Sequence, residues 1–188
     1  KALDLYENVD LPIAMILCDM QAEGIRFDRS LAMETLEDVK RQRDVLAEVV
    51  NDLVRVAGYG NDIEGSINLR SSRRLVDFYH GYLGLPVQKI SRKTGEPSAD
   101  ALSLLRMQRQ HITIPMVLQY KRLDKDKQFL DQWIEASEDD GKLHTSFSNA
   151  RVRTHRFSSE GPNLQQVALD WRGYFIADPG QQLVVGDY

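Results

Sequence analysis

Arg151-Val152-Arg153-Thr154-His155-Arg156-Phe157-Ser158-Ser159-Glu160-Gly161-Pro162-Asn163-Leu164-Gln165-Gln166 is poor in apolar residues and rich in hydrogen-bond donors. Further on, Gln182-Leu183-Val184-Val185-Gly186-Asp187-Tyr188 sets an apolar run ahead of a carboxylate. The first stretch cannot be buried without partners for its polar groups. The second has the composition of a short buried strand over residues 183–186, with Asp187 at its end. A donor-rich loop followed by a strand-borne acid reads as the start of a small sheet, and the residues upstream must build the body that carries it.

That upstream body reads as helical. Asp10-Leu11-Pro12 predicts a helix start, with Pro12 in the first turn, and Gly24 predicts its end. Ile25 to Asp28 is a short extended link. Over residues 30–57 the apolar positions Leu36, Val39, Leu46, Val50 and Leu53 recur at helical steps, with Arg43 as the break in the stripe. Gly58 ends that helix and opens a loop. Ile67 to Ser72 forms a tip, and Ser71 or Ser72 caps a helix over 73–83 that stops at Gly84. Residues 88–97 make a basic turn. Ser98 is placed to cap a helix over 99–110. A second long helix runs from about Pro115 to Ala136 on a stripe of Met116, Tyr120, Leu123, Leu130 and Ile134. Lys121 and Lys125 lie one turn apart on another face. Lys142 to Ser148 alternates loosely and suits a strand. The expected class is α+β: mostly helical with long antiparallel helices, then the first strands of an antiparallel sheet.

Composition limits the function. The 188 residues suffice for one domain or two modest subdomains. No apolar run approaches the ~20 residues that cross a bilayer. Leu11 to Cys18, the most apolar stretch, is too short and lacks the basic flank of a signal peptide, so it reads as a buried helix. The single cysteine, Cys18, has no internal partner for a disulfide, which fits a reducing compartment. The net charge of −4 hides an asymmetry. Residues 1–65 sum to −7, whereas residues 66–97 sum to +4. A basic tract of that kind can meet a phosphate backbone despite the overall acidity.

Generic motifs fail. Gly58-x-Gly60 has Ile63 where a dinucleotide fingerprint needs a third glycine. Lys93-Thr94-Gly95 lacks the Ser-x-x-Lys and Ser-Asp-Asn partners of a serine β-lactamase. His80, His111, His144 and His155 are scattered, without zinc-finger spacing to a cysteine. The donor-rich stretch stays distinctive: Arg and Gln there can test the acceptors that every base pair presents in the minor groove, without reading sequence.

The order Thr154-x-Arg156-x-Ser158-Ser159, then Pro162-Asn163-Leu164-Gln165, resembles the signature Thr-Gly-Arg-x-Ser-Ser-x-x-Pro-Asn-Leu-Gln-Asn of family A DNA polymerases, the bacterial DNA polymerase I type. Met20, Gly24, Ile25 and Asp28 resemble the family's entry segment. Asn68 and Ser71 match the tip of its thumb, and Lys93-Thr94-Gly95-x-Pro97-Ser98 a neighbouring basic region. Tyr120-Lys121-x-Leu123-x-Lys125 resembles a thumb helix, with lysine for arginine. Gly141 to Phe147 matches the strand entering the palm, and Val185 to Tyr188 the opening of motif A. The resemblance covers essentially the whole chain. Departures are His155 for glycine, Phe157 for leucine, Gln166-Val167-Ala168 for Asn-Ile-Pro, and a shortened connector before Arg172.

The resemblance implies an entry segment at 1–29, a helical thumb at 30–140 and the start of a palm at 141–188. It implies a DNA-directed DNA polymerase, with Asp187 as one catalytic, metal-holding aspartate and the Tyr188 carbonyl as a further ligand in a two-Mg²⁺ site. Arg156, Asn163, Gln165, Ser158, Ser159, Thr154, Asn68, Ser71, Lys93, Lys121 and Lys125 are the implied DNA contacts. The implied partners are primer-template DNA, dNTP, and a second polypeptide carrying the fingers and remaining palm, without which this chain is expected to be inactive. No membrane is implied, and the setting is cytoplasmic, at the nucleoid or replisome, or in a host cytoplasm if viral. The alternative is a non-catalytic duplex-DNA-binding module derived from a thumb.

Overall fold

The computed structural model describes residues 2–59, 66–92, 94–149, 151–152 and 156–186. In chain order the elements are α1 (Ala2–Leu5), a π-helical turn (Tyr6–Asp10), α2 (Leu11–Glu23), β1 (Ile25–Arg26), α3 (Arg29–Val56), α4 (Ser72–Val76) with a π-helical continuation (Asp77–Tyr82), α5 (Ala101–Arg106), α6 (Thr113–Ala136), β2 (Lys142–Leu143), β3 (Ser146–Ser148), β4 (Ser158–Glu160) and two 3₁₀ turns (Leu164–Gln166 and Leu169–Tyr174). The α+β expectation stands: long helices dominate, and β1–β2 and β3–β4 form two small antiparallel sheets. No helix among the described residues is long and apolar enough to cross a membrane. The chain divides into two compact units, Glu37–Gln128 and the flanking Lys1–Leu36 with Phe129–Tyr188. The boundaries fall inside α3 and α6.

Within residues 37–128 the core gathers Val50 and Val54 of α3, Leu75 and Phe78 after the tip, Leu104 of α5, and Ile114 and Val117 of α6. Ser71 caps α4 by accepting from the Arg74 N–H. The expected cap at Ser98 is corrected. Asp100 caps α5, accepting from the Ser103 N–H at 2.8 Å, and α5 ends at Arg106. Tyr79 reaches Thr113 through a 3.0 Å hydroxyl contact, and burial pushes its phenol up to about 12.

The apolar stripe expected on α6 holds at Leu123 and Leu130, which are buried, and is corrected at its other positions. Met116, Tyr120 and Ile134 are only half-buried, whereas Val117 and Trp133 are fully buried. Polar residues share the inward face and hide the register from a hydropathy reading. Among them is Asp124, a 7% exposed carboxylate. Arg70 grips it with Nε 2.9 Å from both oxygens and Nη2 2.5 Å from one. Gln128 donates at 3.1 Å, and Arg43 of α3 lies 3.6 Å away. The break that Arg43 makes in the α3 stripe is thus an ion-pairing position. A buried charge persists only when so compensated.

In the other unit the first helix begins upstream of the expected start. Asp10 is helical and makes no side-chain cap. Pro12 lacks an N–H and its ring crowds the preceding turn. The helix passes it by widening: the Leu11 N–H bonds the Tyr6 carbonyl five residues back. The expected burial of residues 11–18 is corrected too, since Leu11, Met15 and Ile16 are exposed and Leu17 is buried. The helix ends at Gly24, with φ +64° and ψ −174°. A Cβ there would sit 2.7 Å from the His144 ring, so only glycine fits.

The strand expected over residues 142–148 is divided. Lys142 and Leu143 pair with Arg26 and Ile25, whereas Ser146–Ser148 pairs with Ser158–Glu160. Phe27 bridges Phe175, and both pack edge-on to buried Trp133. Arg26 and Lys142 meet Asp178 at 2.6 and 2.9 Å.

Asp124→Asn is expected to lower the unfolding free energy by about 3 kcal/mol, because Arg43 and Arg70 lose their shared counter-charge; urea unfolding measures it. His144 offers a second test. Its Nδ1 faces the Gln21 carbonyl at 2.8 Å and its Nε2 the Asp140 carboxylate at 3.0 Å. Two acceptors favour the imidazolium, first through Gln21 and then through Asp140, and together they outweigh the partial burial of the ring and the opposing charge of Lys142. The pKa is raised above 6.5, so this stabilisation is fully present below pH 6.5 and fades as pH rises through the folded-state value. Asp140 is shifted the other way, mainly by His144, so its share is lost only in acid as pH falls below 3.8. The urea midpoint of the parent chain should therefore exceed that of His144→Gln by a constant margin below pH 6.5, and the margin should shrink as pH rises above 6.5.

Candidate nucleic-acid interface

The donor-rich stretch is built on the β3–β4 hairpin, in which Phe147 faces Ser159 and Ser148 faces Ser158. Behind it lies a chain of buried hydroxyls. The Leu164 N–H donates to Ser159 Oγ at 3.0 Å, Ser159 Oγ lies 2.6 Å from Thr145 Oγ1, and Thr145 Oγ1 donates to the Pro162 carbonyl at 2.6 Å. One proton direction satisfies all three links if Ser159 donates to Thr145. The Gly161–Pro162 bond inside this turn is cis. Asn163 Oδ1 then caps the following 3₁₀ turn by accepting from the Gln165 N–H at 3.0 Å. The Gln165 amide donates to the Phe157 carbonyl at 2.9 Å, tying the two sides of the loop together. Arg151 pairs with Glu160 across the hairpin.

The expected contacts therefore differ in what they present. Arg156 and Gln165 are exposed, and Asn163 is half-exposed. Ser159 is 5% exposed and spends its hydroxyl on the turn. Ser158 Oγ is buried without a partner among the described residues. Thr154, Asp187 and Tyr188 lie outside the described residues. The buried strand expected over 183–186 is corrected, because these residues form no strand and Val184 is 91% exposed. Apolar residues at such a place need a neighbouring strand, and no described segment pairs with them. Helix α2 steadies the hairpin: Gln21 Oε1 accepts from the Phe147 N–H at 2.7 Å.

In the unit of residues 37–128, Asn68 and Ser71 shape the tip. Asn68 Oδ1 accepts from the Arg70 N–H at 2.9 Å, and the Asn68 carbonyl accepts from the Ser71 N–H at 3.0 Å. Arg70, Tyr120, Lys121, Asp124, Lys125 and Gln128 line an open cleft of about 480 Å³. Burial lowers the Lys121 pKa below its ordinary value, and Asp124 and Asp100 partly offset this. Lys125 is exposed. Lys93 lies outside the described residues; its flanking turn closes through the Ser91 N–H on the Glu96 carbonyl at 2.8 Å. Cationic and amide donors on such surfaces suit phosphate oxygens and base acceptors.

Among the described residues no three His, Cys, Asp or Glu side chains gather as a metal cage. The residues that order the loop, Thr145 and Gln21, escaped the sequence reading. Their partners lie 14 and 126 residues away, so no local spacing reports them.

The family model described as DNA polymerase family A matches residues 36–188. The thermostable DNA polymerase I of Thermus aquaticus is 33% identical over 203 residues, covering 100% of this chain and 22% of that protein. The DNA polymerase I of Chloroflexus aurantiacus is 30% identical over 199 residues, covering 98% of the chain and 20% of that protein. The chain thus spans about a fifth of these relatives' length. A solved structure, the POL domain of Pol1 from M. smegmatis in complex with DNA primer-template and dNTP, shares the fold with a TM-score of 0.84 at 24% identity, over 95% of this chain and 31% of that one.

Thr145→Val keeps the side-chain shape and deletes the hydroxyl. It should cost about 1–3 kcal/mol in urea unfolding, because Ser159 and the Pro162 carbonyl lose a buried partner, whereas Thr145→Ser should stay near the parent.

Proposed function

The chain belongs to DNA polymerase family A, and from that premise we propose that it grips primer-template duplex and contributes Asp187 to a two-metal nucleotidyl-transfer site. We assign residues 1–29 to an entry segment, 30–140 to a thumb and 141–188 to the start of a palm. The family match over 36–188 carries this reading. The primer-template and dNTP named with the M. smegmatis structure support these as the ligands.

Arg156 and Gln165, exposed on the turn that Thr145 and Ser159 hold, would donate to minor-groove acceptors near the primer end. Those acceptors occupy similar places in every base pair, so such contacts test duplex shape and not sequence. Asn163 would order this loop while facing the same groove. Thr154 would add a hydroxyl contact beside it, whereas the buried hydroxyls of Ser158 and Ser159 would support the loop from within. Asn68, Ser71, Lys93, Lys121 and Lys125 would hold the phosphate backbone. Half-burial of Lys121 suits a phosphate contact, since an anion would restore the charged state that desolvation opposes.

Asp187, with the Tyr188 carbonyl, would hold Mg²⁺ together with carboxylate groups beyond these residues. Such ions supply activation of a primer 3′ hydroxyl and neutralise the departing pyrophosphate. The fingers and remaining palm, on the same or a second polypeptide, would complete the reaction. The setting would be cytoplasmic, at the nucleoid or replisome.

Duplex binding and primer extension separate these roles. In the assembled polymerase, Arg156→Ala should reduce extension more than duplex affinity. Lys125→Ala should mainly weaken binding and reduce the slope of log K against log salt by about 1. Equal effects of each variant on binding and extension would overturn the role assignments. Duplex binding with no extension in any assembly would favour a non-catalytic binding module.

A further inference from the structure

The basic turn at residues 89–98 runs into fully buried Ala99, and one acidic side chain, Asp100, ties its Lys89 to α5. The turn closes on itself: the Ser98 N–H donates to the Lys89 carbonyl at 2.9 Å, Ile90 bridges Pro97, and the Gly95 N–H donates to the Ser91 carbonyl at 2.8 Å. It lines a cleft of about 510 Å³ with Ser72 and Arg73 of α4. Its own apolar anchoring is slight, and Ile90 is 53% exposed. Asp100 stands at the junction. One carboxylate oxygen caps α5 at the Ser103 N–H, and the other holds Lys89 Nζ at 2.5 Å. Helix α5 is fixed by Leu104, which is fully buried, with Ala99 and Met107 on either side.

We propose that Asp100 is a positioning residue for duplex binding, holding the basic turn to α5 through Lys89 so that its donors face a phosphate backbone in a set geometry. This rests on the duplex-binding reading above. A carboxylate beside a basic surface ordinarily weakens binding of a polyanion, so its removal should tighten the complex. The positioning role has the opposite sign. Freed from Asp100, the turn must be ordered at the moment of binding, and that ordering opposes association.

The test is binding of a labelled 20-base-pair primer-template duplex to the 188-residue chain at several salt concentrations, with amide hydrogen exchange of the free chain. Asp100→Asn retains a capping oxygen and removes the charge. It should weaken duplex binding about threefold, the scale of an exposed ion pair. Lys89→Met should weaken binding to a similar extent, Lys89→Arg should stay near the parent, and the double variant should fall no further than either single one. The amides of Gly95 and Ser98 should exchange faster in Asp100→Asn without DNA. Tighter binding by Asp100→Asn, opposite signs for the two single variants, or unchanged exchange would each overturn the proposal. Failure of the parent chain to bind duplex would instead sink the reading on which it rests, and shows before any variant is made.

Discussion

Asp124 carries a charge that α6 turns away from water, and the unit of residues 37–128 is arranged to answer it. Arg70 comes from the tip, Arg43 from α3 and Gln128 from the next turn of α6. A carboxylate buried alone would be driven to neutrality or out of the core. Meeting it from three segments fixes where the tip stands against the helices. Asn68 and Ser71 flank Arg70, so the same ion pair that satisfies Asp124 also places the donors of the tip. The geometry of Lys121 and Lys125, on either side of Asp124 along α6, follows from that register.

The other unit solves the same problem with neutral groups. A loop rich in donors cannot fold inward unless each buried polar atom finds a partner. Thr145 and Ser159 supply it, passing hydrogen bonds from the Leu164 amide to the Pro162 carbonyl. The hydroxyls facing inward free Arg156 and Gln165 to face outward.

Helix positions were legible where one apolar face meets one core. The periodicity of α3 and the glycine stops at Gly24, Gly58 and Gly84 follow from local chemistry, since positive φ favours glycine whatever the rest of the chain does. The reading failed where a buried face is polar. Buried Asp124 interrupts the α6 stripe, so Val117 and Trp133 were passed over. It failed again at Pro12, which looked like a helix start but is accommodated by a widened turn. Asp100 displaced Ser98 as a cap because a carboxylate can serve both the helix and Lys89.

By itself the sequence determined the family, the α+β class, the long helices and which residue types stand in the donor-rich loop, because each rests on identity and local order. Tertiary structure decided which of those residues are available. Ser158 and Ser159 are adjacent and chemically equal, yet Ser159 is committed to the Thr145 turn while the Ser158 hydroxyl is buried without a described partner. It also divided residues 142–148 between two sheets and left Leu183 to Gly186 outside either of them. Strand pairing and hydroxyl partners depend on segments far apart in the chain, and no local pattern encodes their meeting.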